Sequence, residues 1–377
     1  MIGTRPASID PTPWLDLAQH ADRALVRQAL AADAPGEREM AILLSPAASA
    51  ELEAMARRAQ ALTRRHFGRT IAMFAPLYLS DYCSSSCTYC GFSITRNIPR
   101  NKLTVEQMET EFAALKKMGI EEILLLTGDR HSAAGFEVIR NAVERAARLF
   151  HSVNVEVFSM TGDEYRGLAE AGCTGMTMFQ ETYDPAVYAG LHLKGPKSNY
   201  DWRVHAPGRA LAAGIRTAGL GALLGLTEPR GEMISLYRHA VELQRTYWRG
   251  GVSICFPRIR PQTGGFAPTF EVDERMLAQI VFAFRICLPD TPLALSTRES
   301  PHFRDGIAGI GISKMSVASK TTVGGYSPAT EHSAAQFEVN DDRGVDEFCA
   351  MLRSKGLEPV FKNWDGVYRE PLAAHAG

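Results

Sequence analysis

From residue 71 onward the chain alternates short apolar, β-branched runs with longer amphipathic stretches, and few folds accommodate that rhythm. A strand that is apolar on both faces must be covered on both faces, which parallel strands joined by crossover helices achieve. The candidate strands are Ile71 to Leu79, Ile123 to Thr127, Val153 to Phe158, Gly175 to Gln180, Thr217 to Leu226, Val252 to Phe256, Pro292 to Ser296 and Ile310 to Ser316. Eight strands in the roughly 250 residues such a unit takes favour a closed, TIM-like (β/α)8 barrel over an open doubly wound sheet. The reading is therefore an α/β barrel over residues 69–318, a helical N-terminal extension over 1–68, and a short C-terminal appendage over 319–377 packing on the barrel. That appendage holds a Gly-Gly turn and one helix near Arg343 to Ser354.

Local signals agree. Thr104 with Gln107 reads as a capping box, Val105, Met108, Phe112 and Leu115 line one helical face, and Gly119 suits the helix end. Ser45-Pro46 opens a long helical segment, Ala47 to His66, whose Arg57, Arg58, Arg64 and Arg65 read as a solvated face. With 41 basic and 42 acidic residues the chain lacks the strongly basic balance of a nucleic-acid binder. It has no run of about 18 apolar residues to cross a membrane, and Met1 to Asp10 lacks a signal peptide's features. A cytoplasmic protein with neither nucleic acid nor membrane as partner is expected.

In a reducing compartment seven cysteines do not form a disulfide framework, so their spacing matters. Cys173, Cys255, Cys287 and Cys349 stand singly and read as small buried thiols. Cys83, Cys87 and Cys90 instead form C-x3-C-x2-C directly after the first strand, in a loop with Ser84, Ser85, Ser86 and Gly91. Structural zinc wants four ligands, commonly as two pairs, and a ferredoxin wants a fourth cysteine. Three thiolates on one short loop suit a [4Fe-4S] cubane with one iron left open to a ligand.

The chemistry of a barrel sits at the C-terminal ends of its strands. Those ends are polar here: Thr127-Gly128-Asp129, Glu156 leading to Ser159, Gln180-Glu181-Thr182-Tyr183, Arg258 and Arg260, Ser296-Thr297-Arg298-Glu299, and Ser316 followed by Ser319.

With Tyr89 just before its last cysteine, C-x3-C-x2-C resembles the loop of the radical S-adenosylmethionine superfamily. The resemblance implies that the open iron chelates S-adenosylmethionine, which an electron then cleaves to methionine and a 5′-deoxyadenosyl radical. It implies that Thr127-Gly128-Asp129 receives the methionine amino group through its backbone, that Glu156 lies near the ribose, and that Arg203 pairs with the cosubstrate carboxylate. Tyr89 and Glu181 fall on the same cofactor side, and Gly221 and Gly225 would let the fifth strand approach the adenine.

Longer stretches are similar to one branch, the thiamine-pathway tyrosine lyases that make 2-iminoacetate. These stretches are Leu44 to Ser49, Pro76 to Ser80, Gln180 to Tyr183, His192 to Gly195, Phe256 to Arg258, Ser296 to Pro301 and Lys362 to Asp365. Asp129, Phe179, Phe158-Ser159-Met160 and His302 depart from that branch's pattern. The implied reaction abstracts a hydrogen atom from the amino group of L-tyrosine and breaks Cα–Cβ, giving 2-iminoacetate (dehydroglycine) and 4-cresol. Thiazole synthase would take the former, and a low-potential donor such as flavodoxin or ferredoxin would supply the electron. Arg298 would then hold the tyrosine carboxylate, Ser316 would be a second donor, and Tyr78 would neighbour the amine. Against this stands a purely bracing Arg298, paired with Glu299 or Asp305. A tryptophan lyase, the tyrosine-cleaving hydrogenase maturase and a non-catalytic iron-sulfur carrier are the alternative functions. The maturase carries a further C-terminal cysteine motif, whereas only Cys287 and Cys349 follow Cys255.

Overall fold

The computed structural model describes residues 3–330 and 334–362. The eight expected strands form as β1 (Thr70–Ser80), β2 (Glu122–Thr127), β3 (Ser152–Glu156), β4 (Gly175–Glu181), β5 (Thr217–Ala222), β6 (Gly251–Cys255), β7 (Leu293–Leu295) and β8 (Lys314–Ser316). Each pairs in parallel with the next, and β8 pairs with β1, which closes the barrel. Along β1 the side chains alternate: Ile71, Met73, Ala75 and Leu77 are buried under the helices, whereas Phe74, Pro76 and Tyr78 face the lumen.

The ends of the strands depart from the sequence reading. The fifth stops at Ala222, before Gly225 with φ 112°, and the eighth begins only at Lys314, after a turn with Gly309 and Gly311 at positive φ. A ninth strand, β9 (Glu358–Val360), lies in the C-terminal appendage beyond its expected helix and pairs with Thr70 to Ala72. Because Ala72 also pairs with Lys314, β9 occupies the other edge of β1, the edge that β2 takes from Ala75 upward. Three residues are too short to leave a periodic signal. The appended helix forms over Val345–Ser354.

The Thr104 capping box is present, with Gln107 N donating to Thr104 Oγ1 at 3.2 Å and Thr104 N to Gln107 Oε1 at 2.9 Å. Val105, however, is exposed, and Glu111 joins Met108, Phe112 and Leu115 on the buried face. Glu111 is tolerated there because its carboxylate accepts from Tyr326 N, Ser327 N, Ser327 Oγ and Thr330 Oγ1. It thereby ties the segment after β8 to the helix after β1.

The N-terminal extension is helical over Leu15–His20, Arg23–Ala31, Glu37–Leu43 and Leu52–Phe67, and packs on the helices Pro229–Thr246 and Glu274–Cys287. Arg57 fits the solvated reading through its exposed pair with Glu53. Arg58 does not: its guanidinium caps the helix Arg23–Ala31 by donating to the carbonyls of Leu30 and Ala32. No described helix is long and apolar enough to cross a membrane.

Candidate active site

The cysteine loop leaves the top of β1 and folds back over the barrel mouth. Cys83 and Cys87 are buried and Cys90 is half-buried. Backbone amides aim at the sulfurs: Asp129 N lies 3.3 Å and Ser85 N 3.5 Å from Cys83 Sγ, and Phe92 N 3.4 Å from Cys90 Sγ. Burial, then the neighbouring Cys90, pushes the Cys83 thiol up to about 11, and burial also raises Cys87. Three thiolates can coexist there only around positive charge, which a bound iron cluster supplies. No three His, Cys, Asp or Glu among the described residues are grouped to hold a single metal ion. Three cysteine sulfurs, two of them with backbone amides aimed at them, fit the donor set of an iron-sulfur cluster.

Thr127-Gly128-Asp129 braces this loop. A Cβ on Gly128 would come within 2.4 Å of Tyr82 O, so only glycine allows the approach. The Asp129 carboxylate accepts from Ser85 Oγ and from Lys197 N at 2.8 Å, and Thr127 Oγ1 turns to Gly128 O. Tyr89 is buried with its hydroxyl 2.7 Å from His192 Nε2. His192 Nδ1 is 2.8 Å from Tyr188 O and must donate there, so Nε2 accepts from Tyr89. Burial and then Lys197 hold this imidazole down at about 3, and hence neutral.

Glu181 ends β4 with φ 72°, an unusual conformation for a non-glycine, at a break in the register with β5. Its carboxylate sits 2.5 Å from Lys197 Nζ and 3.7 Å from Arg203 Nη2. Burial opposes ionisation of Glu181, but Lys197 and Arg203 overcome it and hold its carboxyl low. Burial and Arg203 likewise oppose the Lys197 ammonium, and Glu181 raises it. Arg203 also donates to Phe179 O at 3.0 and 2.7 Å. Two cations thus share one carboxylate, leaving positive charge for an anion.

The lumen brings together Tyr78, Glu156, Arg298 and Ser316. A smaller cavity beside it is lined by Tyr89, Cys90 and Glu181, and Glu156 and Arg298 border both. Thr127, Gly128, Asp129 and Arg203 line neither and act from behind. Tyr78 is buried and donates to Gln336 Oε1 at 2.6 Å, while Gln336 Nε2 reaches Cys90 Sγ at 3.6 Å. Ser316 Oγ accepts from Thr297 N at 3.2 Å and lies 3.2 Å from Ser319 Oγ. Glu156 makes no side-chain hydrogen bond or ion pair among the described residues, and burial pushes its carboxyl up to about 7 against the pull of Arg298.

The Arg298 guanidinium stacks 3.5 Å from the Phe337 ring and, among the described residues, has one hydrogen bond, to Arg258 O at 3.5 Å. The two carboxylates that a bracing role would use are taken, Glu299 by Arg258 and Asp305 by Arg343. Cys255 is half-buried on the lumen wall, contrary to the expectation of a core thiol, and burial lifts it to about 12; Cys173, Cys287 and Cys349 are buried. The glycine at 221 answers to packing: a Cβ there would meet Cys255 O and the Phe179 ring at 2.8 Å.

Lys197, Gln336 and Phe337 escaped the sequence reading. Lys197 follows Gly195-Pro196 as an ordinary turn lysine would, and its burial beside Glu181 is what marks it. Gln336 and Phe337 sit in a stretch without periodic signal, Gln336 more than 200 residues from its partner Tyr78 and Phe337 in a different segment from its partner Arg298. Asn363 to Asp365 lie outside the described residues.

Comparison with known proteins is consistent with this geometry. A family profile described as "Radical SAM superfamily" matches residues 77–240, and one described as "Biotin and Thiamin Synthesis associated domain" matches residues 255–358. The chain is 43% identical over 342 residues to "2-iminoacetate synthase" of Escherichia coli (strain K12), covering 90% of both chains. It is 41% identical to that of Salmonella typhimurium (strain LT2), again over 90% of each. Among solved structures, the maturase HydG of FeFe-hydrogenase superposes with a TM-score of 0.89 at 30% identity, covering 95% of this chain and 80% of that one.

Proposed function

Since the chain belongs to the 2-iminoacetate synthase family of radical S-adenosylmethionine enzymes, and is a carbon-carbon lyase cleaving L-tyrosine to 2-iminoacetate and 4-cresol, we propose that Arg298 anchors the substrate carboxylate and Tyr78 meets its amine. Cys83, Cys87 and Cys90 hold the [4Fe-4S] cluster. Bound there, cluster and S-adenosylmethionine supply the one-electron chemistry that removes a hydrogen atom from the substrate amino group.

The observation that carries the assignment is a guanidinium that lines a cavity without an ion-paired carboxylate among the described residues. Holding a partly buried cation unpaired costs stability, and a substrate carboxylate would satisfy it with two parallel charge-assisted bonds. Phe337 holds the guanidinium plane against rotation. The Tyr78 hydroxyl spends its proton on Gln336, so its oxygen remains as an acceptor toward an amine. Ser316 lies deeper on the same wall, within the cavity rather than at its rim. Glu156, at the junction of the two cavities, accepts from the ribose of the cosubstrate. The surplus charge at Lys197 and Arg203 receives the cosubstrate carboxylate.

A position error of an ångström would redirect abstraction to carbon, so orientation is what Arg298 contributes. The Arg298→Lys protein should keep its cluster and still cleave S-adenosylmethionine, with less 4-cresol per 5′-deoxyadenosine. Wild-type coupling and tyrosine affinity in that variant would return Arg298 to a bracing role.

The product imine hydrolyses readily in water, so thiazole synthase acts as the nearby acceptor, and a reduced flavodoxin or ferredoxin of the cytoplasm supplies the electron. Exposed Ile94 and Leu193 beside the cysteine loop support docking of such a carrier. Anaerobic co-purification tests the first partnership, and undiminished thiazole yield from physically separated enzymes would count against it.

A further inference from the structure

In most barrels of this kind bulky branched side chains fill the interior in layers. Here the lumen positions Gly175, Thr217, Gly219, Ser253 and Ala294 are small, and what remains is a slot running from Arg298 down to the first residues of β2 and β8. The wall opposite is apolar, with Phe74, Pro76 and Leu124. Such a slot accepts a flat ring.

Its lower end is polar. Glu122 and Lys314, each the first residue of its strand, form an ion pair, and Asn154 Nδ2 donates to the same Glu122 Oε1 at 2.8 Å. Asn154 is itself held by Thr174 Oγ1, at 3.3 Å from its Oδ1. Both donors thus converge on one carboxylate oxygen, and Glu122 Oε2 has no hydrogen-bond partner among the described residues. Lys314 retains protons beyond the one it gives Glu122. One free acceptor beside one free donor complements a hydroxyl, which both gives and takes a hydrogen bond.

We propose that this floor reads the phenol hydroxyl of the substrate: Glu122 Oε2 accepts its proton in a hydrogen bond, Lys314 donates to its oxygen, and Asn154 fixes the carboxylate. The inference rests on the tyrosine-lyase reading above and extends it to how the ring is chosen. Lys314 is level with Ala294, whereas Arg298 lies beyond the end of that strand, in the turn that Glu299 N closes onto Ser296 O at 3.5 Å. Both side chains line the same cavity, one at each end of the slot. An indole fills the slot without offering a hydroxyl at that depth, and phenylalanine leaves the floor unpartnered. A buried site built to bond a hydroxyl discriminates strongly against the analogue that lacks it.

Equilibrium dialysis of labelled L-tyrosine, L-phenylalanine and L-tryptophan measures binding without turnover, using cluster-loaded protein with S-adenosylmethionine and no reductant. The wild-type protein is expected to hold tyrosine about 100-fold or more tighter than phenylalanine. Glu122→Gln, which keeps the side-chain shape, and Lys314→Met should each cut that preference to about tenfold or less, through weaker tyrosine binding with phenylalanine little changed. Cluster absorbance confirms that each variant is folded. Phenylalanine within about tenfold of tyrosine in the wild-type protein overturns the proposal whether or not a variant folds. An undiminished preference in folded Glu122→Gln overturns it too. Tight tryptophan binding with none of tyrosine removes the tyrosine-lyase reading itself, and the proposal with it. Efficient tyrosine cleavage beside equal binding of phenylalanine removes the floor alone.

Discussion

The two ends of the lumen treat charge in opposite ways. At the floor, Glu122 has Lys314 and Asn154 on one oxygen, and the group braces β2, β3 and β8 from inside. At the mouth, Arg298 and Glu156 share a cavity without an ion pair, while nearby carboxylates are engaged elsewhere. Paired charge inside a barrel holds strands in register, whereas unpaired charge is kept at a cost in stability and is kept for a ligand. The floor should therefore be sensitive in folding as well as in the choice of ring, and the mouth in the coupling of the chemistry.

The sharpest break comes from removing the cluster that serves the mouth. Alanine at Cys83, Cys87 or Cys90 should abolish the ~400 nm absorbance of the cluster and all 4-cresol formation. Alanine at Cys255, on the lumen wall, should leave that absorbance intact. Full absorbance in any of the three loop variants would remove the cluster assignment.

Next come the two cations. Lys314→Met strands a buried carboxylate and should lower unfolding stability by about 3 kcal/mol, read by chemical denaturation. Arg298→Met removes no ion pair and should shift stability by about 0.5 kcal/mol or less, yet reduce 4-cresol per 5′-deoxyadenosine by about tenfold or more. If Arg298→Met destabilises as much as Lys314→Met, the two ends do not differ as described.

Glu156 gives a pH test with a definite sign. Burial raises its carboxyl from 4.5 to about 7, so the folded protein binds its proton more tightly than the unfolded chain does. The associated stability is fully present below 4.5 and is lost as pH rises through about 7. Glu156→Gln should remove that component: its thermal midpoint should gain on the wild type as pH climbs through the window. Parallel curves would show that Glu156 is not held neutral.

The smallest effect belongs to Gln336→Leu, which leaves the Tyr78 hydroxyl without its acceptor. A loss of about 1 kcal/mol is expected, with the cluster retained and coupling reduced severalfold. Unchanged coupling would mean that Tyr78 does not need its orientation.

What could be read beforehand follows the range of the physical signal. The eight strands were legible because both-face burial writes apolar runs into the chain, and the cysteine loop because metal chemistry demands close spacing. Arg298 was legible as a rim residue, although its lack of a partner was not, since Glu299 and Asp305 follow it closely in sequence and only packing hands them to Arg258 and Arg343. Glu111 fits the helical period as a solvated residue, and only the distant backbone of Tyr326 and Ser327 makes it internal. Lys314, at a strand start, could equally have pointed outward, because three residues do not establish a face.

The tie between Glu111 and the Tyr326–Thr330 segment has a consequence for synthesis. Gln336 stands 246 residues after Cys90, and the ribosome needs about 12 to 50 seconds to cover that distance. During this interval the nascent chain can display its cysteine loop, while the cover of the mouth does not yet exist. A truncated product released early would carry the thiols without Gln336 and Phe337, which contact Tyr78, Cys90 and Arg298. Translation order thus makes the cysteine loop before the residues that cover the mouth.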